Sequence, residues 1–230
     1  MRLLATTFLA LIVVTGCDRK TSSPAISSAP LLPKVTIAQV PAPLVPMVTV
    51  NDGANLRSIG RAAYGHERFS GFIAALNGIS DPERIQAGVA LKTPSLAAAF
   101  RDVGADPVYQ PAINVLAKAC TNYYALEPSY LDARRASGVI RGKFTIDGQM
   151  SAKLVTCADS IDAGVAALST VRPPHTVPAM AIGQFKQAAG HIRELATGMI
   201  DGYGYDYDLV GQRFGLAFTN ALIWTQQHHR

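Results

Sequence analysis

The spacing of apolar and polar positions changes character several times along the chain. Leu3 to Val14 has no charged residue and follows one basic residue, Arg2. One cation before ~12 apolar residues is the layout of a secretory signal, and the run is shorter than the roughly 20 residues a spanning helix needs. From residue 47 the pattern becomes structured. Met47 to Val50 is a β-branched run, and Asn51-Asp52-Gly53 is a turn signal. Asn55 is placed to N-cap a helix beginning at Leu56, with Leu56, Ile59, Ala63 and Tyr64 on one face. Gly65 is placed to end that helix in the left-handed conformation. Phe69, Phe72, Ile73 and Leu76 mark a second helix from about Arg68, stopped by Asn77-Gly78. Asp81-Pro82 opens a turn, and Val89 to Thr93 alternates like a closing strand. This is β-α-α-β over 47–96. A two-stranded sheet is marginal alone and needs both helices packed on one face.

Beyond residue 97 the strand signals disappear. Ile113, Leu116, Ala117 and Cys120 share a helical face that continues to Tyr123 and Tyr124. Met150, Leu154, Cys157, Ile161, Val165 and Leu168 form a second seam. Ala181, Phe185, Ala188, Ile192, Leu195 and Met199 form a third, and Val210, Phe214, Ala217, Ala221 and Trp224 a fourth. Pro128, Gly138 to Gly148, Pro173-Pro174 and Gly202 to Gly204 are the expected breakers. Such seams pack antiparallel helices joined by short loops. The expected fold class is therefore α+β: a small β-α-α-β domain at 47–96, then an all-α helical bundle at 97–230. The bundle would hold four main helices, with a short fifth around Tyr130 to Ala136.

Composition narrows the class. Hydrophobic content of 49% excludes a disordered chain. The net charge of +5 divides as +1 over 1–17, +2 over 18–46, +1 over 47–96 and +1 over 97–230. Nucleic-acid binding needs a Lys/Arg stripe that neutralises several phosphates together; the charge reads as evenly scattered, with no window supplying such a stripe, so no nucleic-acid partner is expected. The three cysteines are too few for a disulfide scaffold, and their number is odd.

Val14-Thr15-Gly16-Cys17 resembles the lipobox of bacterial lipoproteins, in which the cysteine is diacylated and becomes the new N-terminus. That resemblance implies a 1–17 lipoprotein signal peptide, lipidation at Cys17 and a membrane anchor. An ordinary signal peptide with a cysteine at its cleavage site is the other reading. Asp18 resembles the signal that retains such lipoproteins in the inner membrane, so the expected place is the cell envelope, facing the periplasm. Residues 18–46 hold six of the fourteen prolines, Pro24, Pro30, Pro33, Pro41, Pro43 and Pro46, which fits a semi-rigid tether. A tail of no selected length is the alternative. Cys120 and Cys157 fall on inward seams, and in an oxidising compartment a Cys120–Cys157 disulfide is expected. Two buried free thiols are the competing state.

The segment 47–96 carries its own resemblance. Val48-Thr49-Val50, Gly53, Asn55-Leu56, Ser58-Ile59, Tyr64-Gly65, Leu76-Asn77, Asp81-Pro82, Ile85, Gly88, Leu91 and Pro94 stand in register with a lysin motif (LysM) domain, over about a fifth of the chain. The resemblance implies binding of N-acetylglucosamine-containing glycan, chiefly peptidoglycan, in a shallow groove between two loops. By position those loops are Gly53, Ala54, Asn55 and Leu56, then Asn77, Gly78, Ile79 and Ser80. Backbone approach at Gly-bearing loops suits an N-acetyl group. Ala54 stands where the family commonly carries an aspartate, which removes an acceptor. A small fold kept for a protein partner is the other reading of these residues.

No catalytic, metal or cofactor site is expected. Cys157 has His175 and His191 downstream, without the Ser-His-Gly-Cys run of a wall transpeptidase. His228-His229 lack an acidic companion and read as a tail. Glu127-Pro128-Ser129 has a faint likeness to the Glu-Ser of lytic transglycosylases, with helix capping at Pro128 the better reading. Tyr203 to Asp208 reads either as a recognition loop or as a tyrosine-buttressed turn with Asp206 or Asp208 capping the last helix. The expected function is an envelope lipoprotein that binds peptidoglycan glycan chains, with the helical domain as scaffold or docking module in an envelope protein complex. The alternative is a peptidoglycan-modifying enzyme of lytic type, with catalysis in the helical domain.

Overall fold

The computed structural model describes residues 46–171, 177–200 and 206–228. The signal peptide, Cys17, Asp18, the tether before residue 46, Pro173-Pro174, His175, Tyr203 to Tyr205 and His229 lie outside the described residues.

Strand β1 (Met47–Thr49) pairs antiparallel with β2 (Ala90–Lys92), Val48 opposite Leu91. Between them lie α1 (Leu56–Tyr64), a 3₁₀ turn (Glu67–Phe69) and α2 (Ser70–Asn77). Asn55 starts α1 through a capping box: its Oδ1 accepts from Ser58 N at 2.9 Å, and Asn55 N donates to Ser58 Oγ at 3.1 Å. The second helix begins with a 3₁₀ turn because the His66 side chain accepts from Arg68 N and so caps that turn. Gly65 ends α1 at φ 89°, and a Cβ there would stand 2.6 Å from the Tyr124 ring. Glycine at this position meets two demands, a left-handed turn and a close approach.

The remaining chain is helical for most of its described length: α3 (Leu96–Asp102), α4 (Gln110–Ser137), α5 (Gly148–Ser169), α6 (Ala179–Ala196) and α7 (Asp206–His228). The expected seams are the buried ones, except that Met199 lies past the end of α6 in a short strand and is 50% exposed. Leu116, Ile161, Phe185, Ile192 and Phe214 are each 1% exposed or less. Three further expectations differ from the structure. Pro128 does not break α4, which runs through it for 28 residues. Pro128 is exposed while Tyr123 and Tyr130 on either side are buried, so packing on both flanks carries the helix across the lost hydrogen bond. The bundle region also contains a short antiparallel pair, β3 (Gly142–Lys143) with β4 (Met199–Ile200). Finally, Cys120 and Cys157 form no disulfide and are buried free thiols. Gly164 of α5 packs against Leu116 of α4. That antiparallel register sets Cys157 about one helical turn off the level of Cys120.

The segment 47–96 shares its core with the helices that follow. The described residues fall in one compact unit. Phe218 of α7 is the centre of an aromatic cluster, with ring centroids 6.2 Å from Phe69, 6.5 Å from Phe72, 6.4 Å from Phe100 and 5.0 Å from Phe185. Each buried ring contributes about 1.5–3 kcal/mol through area removed from water. Two glycines let the elements meet: a Cβ on Gly211 would stand 2.3 Å from the His66 ring, and one on Gly215 would stand 2.7 Å from Arg68 O.

Candidate functional site

The turn after β1 and the last residues of the α2–β2 loop are hydrogen-bonded to each other. Val50 N donates to Val89 O at 2.8 Å, and Gly88 N donates to Val50 O at 2.8 Å. These bonds extend the strand pairing and bring the end of the α2–β2 loop against the start of the β1–α1 turn. Neither Val50, Gly88 nor Val89 is among the eight residues expected at the groove, although Gly88 stands in the sequence motif.

The eight residues divide by role. Gly53, Asn55, Gly78 and Ser80 are exposed; Ala54, Asn77 and Ile79 are half-buried; Leu56 is buried. Leu56 therefore belongs to the core rather than to a contact surface. The Asn55 side chain is committed to the helix cap. Asn77 is committed as well: its Nδ2 donates to Ile73 O at 2.9 Å and Lys92 O at 3.1 Å, and its Oδ1 accepts from Lys92 N at 2.7 Å. It ties the end of α2 to β2. Gly78 turns the chain at φ 66°, and Ile79 N donates to Ala74 O at 2.9 Å. What these loops offer a ligand is backbone at the two glycines, the Ser80 hydroxyl and the half-buried apolar surfaces of Ala54 and Ile79. A flat sugar face with an N-acetyl group needs that combination of backbone polarity and small apolar floor.

A second cluster lies where α1, α4 and α7 meet. His66 Nδ1 accepts from Arg68 N at 3.1 Å, which leaves Nε2–H to donate to Asp208 Oδ1 at 2.8 Å. The Tyr123 hydroxyl lies 3.4 Å from both Glu127 Oε1 and Tyr207 O. Burial pushes the Glu127 carboxyl up to about 7, with the Asp208 charge adding and the Tyr123 hydroxyl and Arg61 opposing. In the sequence Glu127 carries only a faint motif likeness, and Asp208 is one of two candidate caps, with Asp206, in a segment that also reads as a recognition loop. Asp208 instead sits inside the first turn of α7 and reaches across to His66. No local pattern signals this pairing, because its partners are 142 residues apart.

The other groups considered for chemistry are occupied elsewhere. Burial raises the Cys120 thiol well above its ordinary value and raises that of Cys157, so neither is a thiolate at neutral pH. His191 Nδ1 is 3.2 Å from Glu194. His228 Nδ1 is 2.9 Å from Trp224 O, its ring stacked on Trp224. Among the described residues no group of His, Cys, Asp and Glu could hold a metal ion, and no helix is long and apolar enough to cross a membrane.

The chain matches no protein-family model, no curated protein and no solved structure.

Proposed function

We propose that the chain is a cell-envelope lipoprotein that binds the N-acetylglucosamine glycan of peptidoglycan through a LysM module at 47–96, with α3 to α7 as the scaffold that holds the module. The observation that carries this reading is the β-α-α-β order of 47–92, with Val50, Gly88 and Val89 joining two glycine-bearing loops. Asn55 and Asn77 fix those loops and leave their backbone to the ligand. Cys17 supplies the lipid anchor, Asp18 favours the inner membrane, and 18–46 is the tether. The test is co-sedimentation of the chain with purified sacculi. Pelleting without release of soluble muropeptides supports the binder, and no pelleting overturns it. Membrane retention lost in Cys17→Ser supports the anchor, and unchanged retention overturns it.

A second reading is favoured by Glu127, whose carboxyl holds its proton near neutrality beside Asp208. A protonated carboxylic acid next to a carboxylate is the pairing that glycoside cleavage needs. Muropeptide release that disappears in Glu127→Gln would select this lytic reading over simple binding.

A further inference from the structure

The charge of 97–230 sums to +1, yet four of its cations fall within ten residues. Arg134, Arg135, Arg141 and Lys143 lie in a stretch, 134–143, that contains no acidic residue. Carboxylates elsewhere in the helices cancel them in any long-window count. The structure places this stretch at the C-terminal end of α4 and in the β3 strand that follows. Arg135, Arg141 and Lys143 are exposed. Arg135 meets Asp132 at 2.9 Å, a solvent-exposed pair that holds it weakly.

The same stretch carries apolar side chains that face water. Ile140 is 81% exposed, the highest among the large exposed apolar residues described. Met199, the register partner of Lys143 across β3–β4, is 50% exposed and shares its face of the pair. A shallow groove of about 370 Å³ beside them is lined by Leu131, Arg134, Arg135, Val139, Ile140 and Tyr207. The β3–β4 pairing anchors the strand after Ile140, and Phe144, 3% exposed, roots it in the core. Cations ringing an exposed aliphatic tip, on a rooted loop, complement a surface that is anionic outside and apolar just beneath.

We propose that residues 138–143 and the adjoining end of α4 dock on the anionic surface of a lipid bilayer, with Ile140 entering the headgroup region and the cations facing lipid phosphates. This goes beyond the glycan reading and uses none of its residues. The loop lies roughly 20 Å along α4 from Tyr124, where the 47–96 segment packs. A nucleic-acid surface fits less well, because it gives Ile140 and Met199 nothing apolar to enter.

The test uses the unlipidated chain from residue 18, which retains every described core residue. It is mixed with vesicles of phosphatidylcholine alone or of phosphatidylcholine with phosphatidylglycerol. Co-sedimentation with the anionic vesicles only, falling as salt is raised, is expected. Arg141→Glu with Lys143→Glu should weaken it at least 20-fold, about five-fold for each cation lost. Ile140→Asp should weaken it several-fold while leaving the circular dichroism and melting of the chain unchanged. Equal binding to neutral vesicles, no binding to anionic ones, or wild-type binding by both variants overturns the proposal. So does equally tight binding to a DNA duplex that Ile140→Asp leaves untouched, which would make the patch a general polyanion site.

Discussion

His66 Nε2 and Asp208 Oδ1 meet at 2.8 Å and tie the turn after α1 to the first turn of α7. His66 is 6% exposed, and Gly211, one turn beyond Asp208, lies against its ring. The imidazole caps the 3₁₀ turn with one nitrogen and holds α7 with the other. One side chain thus adds a polar tie to the aromatic contacts that hold the β-α-α-β segment on the helices.

Removing the Asp208 carboxylate leaves the buried His66 Nε2–H without its acceptor, which costs about 1–3 kcal/mol, whereas Asp208 left alone is exposed enough to be hydrated. Asp208→Ala should lower stability within that range in urea unfolding, and His66→Ala should lower it through the lost cap and the lost ring packing. The double variant should cost clearly less than the two single losses added together. Full additivity would mean the contact contributes nothing.

The glycines of α7 give a sharper contrast. Gly211→Ala and Gly215→Ala drive a methyl into the His66 ring and the Arg68 backbone, and each should destabilise by about 1–3 kcal/mol. Gly190→Ala, on exposed α6 surface with nothing within 4 Å of its Cβ position, should stabilise by roughly 0.5–1 kcal/mol through helix propensity. Thermal melts of the three variants check both signs. Equal effects would contradict the close packing of α7 against residues 66–69.

Glu127 should make stability fall as pH rises. Its carboxyl is raised from 4.5 to about 7 in the folded chain, so below 4.5 both states hold the proton and nothing is lost. Between 4.5 and 7 the unfolded chain releases the proton while the folded chain keeps it, and stability declines through that window. Allowing for solvent screening of a partly exposed group, the decline is about 1–2 kcal/mol. Glu127→Gln should flatten this part of the pH–stability curve. An unchanged slope would assign the decline to other groups.

The thiols give a direct reading of the cysteine state. With Cys120 and Cys157 free and buried, a thiol reagent should label neither in the folded chain and both after unfolding. Reducing agent should leave the melting temperature unchanged. A reductant-sensitive melt would restore the disulfide.

The helical seams were legible because buried residues such as Leu154, Ile161 and Phe185 repeat at helical spacing, a local signal. Asn55, Gly65 and Gly78 were legible as caps for the same reason. Local signals misled at Pro128, where burial of Tyr123 and Tyr130 outweighs the helix-breaking ring. They were silent on Phe69 against Phe218, on His66 against Asp208 and on the two-residue pairing of β3 with β4, all of which join distant parts of the chain. At the expected groove, the LysM resemblance implies contacts at Asn55, Leu56 and Asn77, whereas the fold uses their side chains for a cap, a core position and a strand tie. The basic loop is masked in the summed charge because carboxylates elsewhere in the same domain balance it.

The central claim is that the two loops of the β-α-α-β segment hold an N-acetylglucosamine glycan. Titrating the chain with N-acetylglucosamine oligomers while following backbone amide resonances tests it most directly. The account predicts saturable shifts at Gly53, Ala54, Gly78, Ile79, Ser80 and Gly88, with the α5–α6 helices unmoved. No shifts at saturating oligomer, or shifts confined to residues outside these loops, would contradict it.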